Sequence, residues 1–476
     1  MALPNTNLGP EKIGDLLKNK SNLFFAGIGG ISMNSLARIS ALRGHHVSGY
    51  DRAPSPITKK LEEEGIKVYY ESNSEHVKDC NALIYTVAMP EDNPEYACAK
   101  ENGIPVISRA DYLGYLMTGY NHRIGISGTH GKSTTTGMVA RILGHAHANP
   151  TVLSGAALKE TGSPDMIGGH EIFAFEACEY MDSFLDFYPT IAVVLNIELD
   201  HLDYFHSLDQ MRTSFAKFME KTGEQGKAVI NLDDADCILA SADYKGELIS
   251  FGRNNPAADY TSANEDMQNG YASFDVYSHG EYLTRVKLHF PGEHNISNAL
   301  AAFAACHAVG VDADTIAEGL GTYDGVARRM EKICITRNNA VVYTDYAHHP
   351  TELATTIAGA RKIAKEKLNI VFQPHTYSRT YELFDDFVKV LSECEADHLV
   401  LCDIYAAREI NTYGVSSAAL AEKIAQNGKS VSTASGFADA AAQIDSCSEN
   451  GDVIIVMGAG DVISVAEILT AEYSEN

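Results

Sequence analysis

The chain has 476 residues, with 37 Lys and Arg against 63 Asp and Glu, a formal net charge of −26. That balance argues against general binding to nucleic acid or to anionic membranes, so any phosphate must be held by a few local donors. Hydrophobic residues at 45% and charged residues at 21% are ordinary for a soluble globular protein, and the length suggests about three domains. The nine cysteines are scattered and no C-x-x-C occurs, which fits a reducing cytoplasm. The start MALPNTNLGPEK has no signal pattern, and no apolar run approaches about 18 residues. A cytoplasmic location without membrane insertion is expected.

In chain order, Asn22–Ala26 reads as a strand, Gly27-Ile28-Gly29-Gly30-Ile31-Ser32 as a turn, and Met33–Leu42 as a helix. A second strand, Val47–Tyr50, ends at Asp51. This is a Rossmann-like βαβ unit with Gly27 and Gly29 in place and Ser32 where the third glycine would stand. Asp51 falls about where such folds put an acid near a ribose. A dinucleotide, another diphosphate such as a sugar nucleotide, and a purely structural unit are all compatible with it. KVYY, ALIYTVA and PVIS continue the alternation, and the first domain ends near Gly119–His122.

A second glycine loop follows in RIGISGTHGKSTTT, Arg123–Thr136. A β-type run leads into Gly128-Thr129-His130-Gly131-Lys132-Ser133, and helix-compatible residues come after it. Glycines let backbone N–H groups turn toward an anion, and the helix N-terminus adds partial positive charge. Lys132 would reach the β- and γ-phosphates of a nucleotide and Ser133 would ligate Mg²⁺. Ile126 stands where the usual first glycine would be, so the loop is a G-x-x-G-K-S variant; an ordinary βα turn containing a lysine is the plainer alternative. Two later strands end in acids: Ile172–Phe175 runs into Glu176-Ala177-Cys178-Glu179, and Ile191–Leu195 into Asn196-Ile197-Glu198-Leu199-Asp200-His201-Leu202-Asp203. Parallel strands would set Glu176 and the Asp200-His201-Asp203 cluster on the same sheet edge as Lys132 and Ser133, where a metal needs them.

Lys227–Asn231 reads as another strand, and residues 248–288 as additional β structure. PGEHNISNAL opens a small-residue helix with Asn295 and Asn298 three apart, a pattern that also suits capping. Gly325–Glu331 marks a boundary. Beyond it, the strand Ala340–Thr344 ends at Asp345-Tyr346-Ala347-His348-His349, and Asn369–Phe372 ends at Gln373-Pro374-His375-Thr376-Tyr377-Ser378-Arg379. Strands at His398–Cys402 and Val453–Met457 complete a third α/β unit.

GTHGKSTTT, EACEY, NIELDHLDYF, PGEHNISNALAA, GVARRME, DYAHHPTE and QPHTYSRT occur in this order. Together they resemble the Mur ligase family over essentially the whole chain, most closely its members that join L-alanine to UDP-N-acetylmuramate. The resemblance implies an α/β protein of three domains: a Rossmann-like UDP-sugar domain, 1–120; a central ATPase-type domain, 121–327; and a Rossmann-like amino-acid domain, 328–476. It implies ATP and Mg²⁺ as cofactors, UDP-N-acetylmuramate and L-alanine as small-molecule substrates, no nucleic-acid partner, and a monomer or homodimer. Gly27, Gly29, Gly30 and Asp51 would serve the UDP-sugar. Gly128, Thr129, His130, Gly131, Lys132, Ser133 and Thr134 would hold the ATP phosphates. Ser133, Glu176 and His201 would hold metal, and His294 and Asn295 would lie on the adenine side. Arg328 and Asp345 would line the nucleotide site, and His348, His375 and Arg379 the substrate site, with Lys132, His201 and Arg379 nearest the chemistry. Some sister ligases use a carbamylated lysine; near that position stand Phe215 and Ala216, with Lys217 adjacent, so no carbamate is expected. A murein peptide ligase, an NAD-dependent oxidoreductase and a regulatory nucleotide-binding module remain as alternatives.

Overall fold

The computed structural model describes residues 3–18, 21–86, 89–201, 204–268, 270–407 and 409–471; Asp203 lies outside them. The chain divides into two compact units. The first comprises Met1–Leu199, Ser207–Ser250 and Ala304–Gly310, and the second Asp200–His206, Phe251–Phe303 and Val311–Asn476. No helix among the described residues is long and apolar enough to cross a membrane.

The first unit opens with strands β1 (Asn22–Ala26), β2 (His46–Tyr50), β3 (Lys67–Tyr69), β4 (Ala82–Tyr85) and β5 (Val106–Ser108). They form a parallel sheet in the order β3-β2-β1-β4-β5. Leu23, Phe24, Phe25, Ala26, Leu83 and Ile84 are fully buried, as continuous apolar strands are when helices cover both faces. Strand order reverses between β1 and β4, and ligands of such sheets collect at that crevice. Gly27 and Thr86 mark its rim: a Cβ on Gly27 would sit 3.4 Å from the Thr86 methyl.

The same unit holds β6 (His122–Ser127), β7 (Thr151–Leu158), β8 (Ser163–Met166), β9 (Ile172–Glu176), β10 (Ile191–Val194) and β11 (Lys227–Asn231). These run in the order β11-β10-β6-β9-β7-β8, parallel except that β8 is antiparallel to β7. The strand before the second glycine loop is therefore flanked by the two strands whose ends carry acids, as their sequences suggested. The β7–β8 hairpin was not foreseen, because SGAALKETGSPDM lacks the alternating β-branched pattern of a hairpin. The two sheets are fastened together by Asn5 to Asp186 at 3.1 Å and Arg38 to Asp165 at 2.9 Å. Between them, the helix Arg109–Met117 presses on the Tyr180–Asp186 segment at Gly114, where an added Cβ would lie 2.2 Å from the Asp186 carbonyl oxygen.

In the second unit, the end of β12 (Glu247–Gly252) pairs in parallel with β13 (Tyr260–Gln268), followed by antiparallel β14 (Tyr271–Ser278) and β15 (Glu281–Pro291). A further sheet contains β16 (Glu331–Ile335), β17 (Val341–Asp345), β18 (Leu368–Phe372), β19 (His398–Leu401), β20 (Val431–Thr433) and β21 (Val453–Met457). Its order is β16-β17-β21-β18-β19-β20, with only the edge strand β16 antiparallel. The chain runs outward from β18 to β20 and returns as the fully buried β21 between β17 and β18. That return creates a second crevice at the carboxyl ends of β17, β21 and β18.

Two glycines separate packing from backbone freedom. Gly114→Ala forces a methyl into the Asp186 backbone and is expected to destabilise the protein by about 2 kcal/mol. Gly144→Ala, with nothing within 4 Å of the added carbon in the helix Lys132–His145, is expected to stabilise by about 0.5–1 kcal/mol. Urea midpoints of the two variants should move in opposite directions; equal shifts would remove the role given to Gly114.

Candidate active site

β6 delivers the second glycine loop directly into the helix Lys132–His145, whose N-cap is Gly131 at φ 85° with no side-chain cap. Gly128 has φ 138°, and a Cβ there would meet the Leu195 Cβ at 2.9 Å, so both positions need glycine. The loop is fastened to the segment after β10. Thr129 N–H donates to the Asn196 carbonyl at 3.1 Å, and His130 N–H to Asn196 Oδ1 at 2.8 Å. Asn196 Nδ2 returns a bond to the His130 carbonyl at 3.1 Å. Glu198 N–H donates to Thr129 Oγ1 at 2.9 Å, and the His130 ring lies 3.2 Å from the Glu198 carboxylate. The side chains of Thr129 and His130 thus shape the loop from behind, leaving backbone and helix start to face an anion.

Lys132 Nζ donates to the Gly128 carbonyl at 2.5 Å, and lies 3.2 and 3.1 Å from the two carboxylate oxygens of Glu179. Glu179 is fully buried. Burial opposes the lysine charge, but Glu179 outweighs it and holds the ammonium above its ordinary range. Ser133 Oγ donates to Glu176 Oε2 at 2.8 Å, and the same oxygen accepts from Gly155 N–H at 2.8 Å. A hydroxyl and a carboxylate joined at the helix start are hard oxygen donors, a set that suits Mg²⁺. Glu179 was missed as a site residue; its signal was the second acid of E-A-C-E, three residues beyond Glu176 at the same strand end.

At the first glycine loop, Gly27 has φ 82° and Gly30 is the N-cap of the helix Ile31–Leu42, again without a side-chain cap. Asp51 Oδ2 accepts from Gly29 N–H at 2.7 Å, which ties the end of β2 to the loop. A Cβ on Gly29 would meet that oxygen at 2.7 Å, which explains the glycine there.

The second unit gathers another cluster at the crevice of its sheet. Arg379 Nη2 donates to Asp200 Oδ1 at 3.0 Å, and its Nη1 lies 3.3 Å from His375 Nδ1. Burial pushes the Asp200 carboxyl up, but Arg379 and His201 outweigh it and hold the group well below the usual carboxylate range. His375 stacks on Tyr405 and meets His348 edge-on at 5.7 Å. Burial pulls both imidazoles down to about 4, so both are neutral at pH 7. The buried Asp345 carboxylate accepts from Met330 N–H and Ala347 N–H, both at 2.8 Å, and burial raises its pKa. It thus braces the turns around it. Arg328, at φ 57°, donates to the carbonyls of Gly458 at 2.5 Å and Gly460 at 2.9 Å and lies over Tyr346. Asn295 Nδ2 donates to the Pro291 carbonyl and its Oδ1 accepts from Asn298 Nδ2, so the pair locks the helix entry rather than capping it; His294 is exposed beside it. His201 has φ 53°, and its Nε2 lies 4.0 Å from Asp200. Asp200, grouped with His201 by the sequence as an acid near metal, also pairs with Arg379 in the structure.

Family models match the chain in three consecutive stretches: Mur ligase family, catalytic domain, over residues 23–121; Mur ligase middle domain over 126–306; and Mur ligase, glutamate ligase domain, over 328–460. The UDP-N-acetylmuramate–L-alanine ligase of Caldicellulosiruptor saccharolyticus is 43% identical over 450 residues, covering 94% of this chain and 98% of that one. The ligase of the same name from Acetivibrio thermocellus is 43% identical over 462 residues, covering 96% and 97%. Among solved structures, a UDP-N-acetylmuramate-alanine ligase from Thermotoga maritima superposes with TM-score 0.78 at 26% identity, covering 95% and 99% of the two chains. A murein peptide ligase from Psychrobacter arcticus superposes with TM-score 0.68 at 24% identity, covering 96% and 99%, a likeness of fold. With near-complete coverage in both sequence and fold, and the glycine loops at the strand ends where such sheets bind ligands, the chain belongs to the Mur ligase family.

Proposed function

We infer that the chain joins L-alanine to the lactyl carboxylate of UDP-N-acetylmuramate with cleavage of ATP to ADP and phosphate, a step of peptidoglycan precursor synthesis. The name shared by relatives matched over nearly their whole length supports the substrates. The observation that carries the chemistry is the phosphate cradle, with Lys132 set against buried Glu179 and Ser133 against Glu176. In this reading residues 1–120 take the UDP-sugar, 121–327 the ATP and 328–476 the amino acid, and the enzyme works in the cytoplasm as a monomer or homodimer.

A carboxylate resists attack by an amine. A carboxylate oxygen of the muramate therefore first attacks the γ-phosphorus of ATP, and ADP leaves. The alanine amine then attacks the acyl carbon, and the tetrahedral adduct expels phosphate carrying that carboxylate oxygen. Two anions meet in the first step, so fixed positive charge at the helix start and at Lys132 lowers its barrier. Ser133 and Glu176 would hold Mg²⁺, with His201 as a further ligand; the bound ion would withdraw charge from the phosphoryl oxygens. In the second unit Arg379 is the natural partner for the alanine carboxylate once it exchanges Asp200. Neutral His348 and His375 beside it can accept the proton that the amine must lose.

Mass spectrometry of the product formed from ATP, UDP-N-acetylmuramate and a mixture of amino acids and a tripeptide tests the reading. The expected product is heavier than the sugar nucleotide by one alanine residue; preferential tripeptide ligation would support the murein peptide ligase alternative instead. Lys132→Ala is expected to lower turnover about a thousandfold. It should also cost about 3 kcal/mol of stability, because Glu179 is left buried without its counter-ion. Lys132→Ala with Glu179→Gln should recover stability but not turnover, and a double variant as unstable as the single would contradict the pairing. Glu176→Gln and His201→Ala are each expected to raise the Mg²⁺ concentration for half-maximal activity, with partial rescue by added metal. An unchanged Mg²⁺ titration would make those residues structural.

A further inference from the structure

The first glycine loop has an electrostatic problem. A diphosphate bound at the start of the helix Ile31–Leu42 would meet the Asp51 carboxylate, which already uses the Gly29 amide. The loop from Gly27 to Ser32 contains no lysine or arginine, and the chain as a whole is strongly acidic. Any side-chain cation for the diphosphate therefore comes from outside the loop.

Arg52, next to Asp51, is exposed, and most other arginines around this edge of the first unit are engaged. Arg38 is held by Glu64 and Asp165. Arg43 donates to the Leu116 carbonyl and lies over Tyr120, and Arg123 donates to the carbonyls of Tyr188 and Tyr120. Arg109 differs. It opens the helix that follows β5, at the carboxyl edge of the sheet. Its Nη1 donates to Ser32 Oγ at 3.1 Å, its one hydrogen bond among the described residues. Burial pulls its pKa down; Cys178 and Asp186 act on it electrostatically in the opposite sense without a hydrogen bond to it. A guanidinium has five donors, so most of this one's capacity is open at a site where burying an uncompensated charge is costly. Asp186 is itself weakened as a counter-ion, since burial and neighbouring Asp111 push it up to about 6.

We propose that Arg109 is a substrate-binding residue that takes the diphosphate of the sugar nucleotide, with Ser32 as its positioning residue. The proposal rests on the ligase reading and adds the cation its first glycine loop lacks. It also accounts for Ser32 at the third-glycine position: the hydroxyl steers the guanidinium over the first turn of the helix, where a diphosphate gains from both the amides and the charge.

Calorimetric binding of two probes tests it: UDP-N-acetylmuramate, and UDP-N-acetylglucosamine, which has the same diphosphate and no lactyl carboxylate. Arg109→Ala is expected to weaken both by about 10- to 100-fold, with KM for ATP unchanged; Arg109→Lys should recover part of the loss, and Ser32→Ala should weaken both probes by about threefold. Equal affinity in Arg109→Ala and the parent protein would overturn the assignment while leaving the ligase reading intact. So would loss for the muramate probe alone, which would make the residue a contact of the lactyl carboxylate. A parallel rise in KM for ATP would overturn it too, by showing a general structural role. Failure of the parent protein to bind either probe would overturn the ligase reading, and this inference with it.

Discussion

The buried ion pair between Lys132 and Glu179 is the constraint on which the proposed phosphate cradle depends. A lysine that serves a transferring phosphoryl group must be fully charged and already in place, yet an ammonium in a protein interior is strongly disfavoured. Glu179, fully buried at the end of the neighbouring β9 segment, resolves the conflict and keeps the ammonium above its ordinary range. The arrangement has a consequence for how the lysine acts. In the structure its tip bends back to the loop carbonyls of Gly128 and Thr129, so in the proposed reaction a bound nucleotide would exchange these carbonyl partners for phosphate oxygens while Glu179 remains. Little reorganisation would then be left for the moment of reaction, the condition under which fixed charge lowers a barrier most.

The same economy recurs at the other strand ends. Glycine loops need to be open to an anion but cannot be floppy, and the chain braces them with side chains on the far side. Asn196 and Glu198 hold Thr129 and His130; Asp51 holds Gly29; Asp345 holds the amides of Met330 and Ala347. Each brace sits at the carboxyl end of a parallel strand, next to the ligand-binding crevice that the sheet topology creates. Residues that look polar and available in the sequence are in several cases the scaffold behind the site.

Much of the architecture was legible because parallel strands buried on both faces are written as unbroken apolar runs. IFAF, IAVV, VIIVM and their relatives came within a residue or two of the observed strands. The phosphate loop was legible because glycine, lysine and serine at fixed spacing have few other uses. What stayed hidden depended on partners distant in sequence. Nothing local marks Glu179 as the counter-ion of a residue 47 positions away, or Asp200 as the partner of Arg379. Arg109 was hidden in the same way, since its meaning comes from Ser32, 77 residues earlier. The β7–β8 hairpin and the edge strand β16 have weak intrinsic patterns and are fixed by the sheets they join.

In the proposed reaction the cradle around Lys132 moves a phosphoryl group onto a carboxylate. Turnover of UDP-N-acetylmuramate labelled with ¹⁸O in both lactyl carboxylate oxygens tests it most directly, by following where the label goes. Attack of the carboxylate on the γ-phosphorus predicts one labelled oxygen in each phosphate released and one retained in the new amide. Phosphate free of label, with amide still formed, would mean that the carboxylate is activated in some other way and that the cradle does not do the chemistry assigned to it.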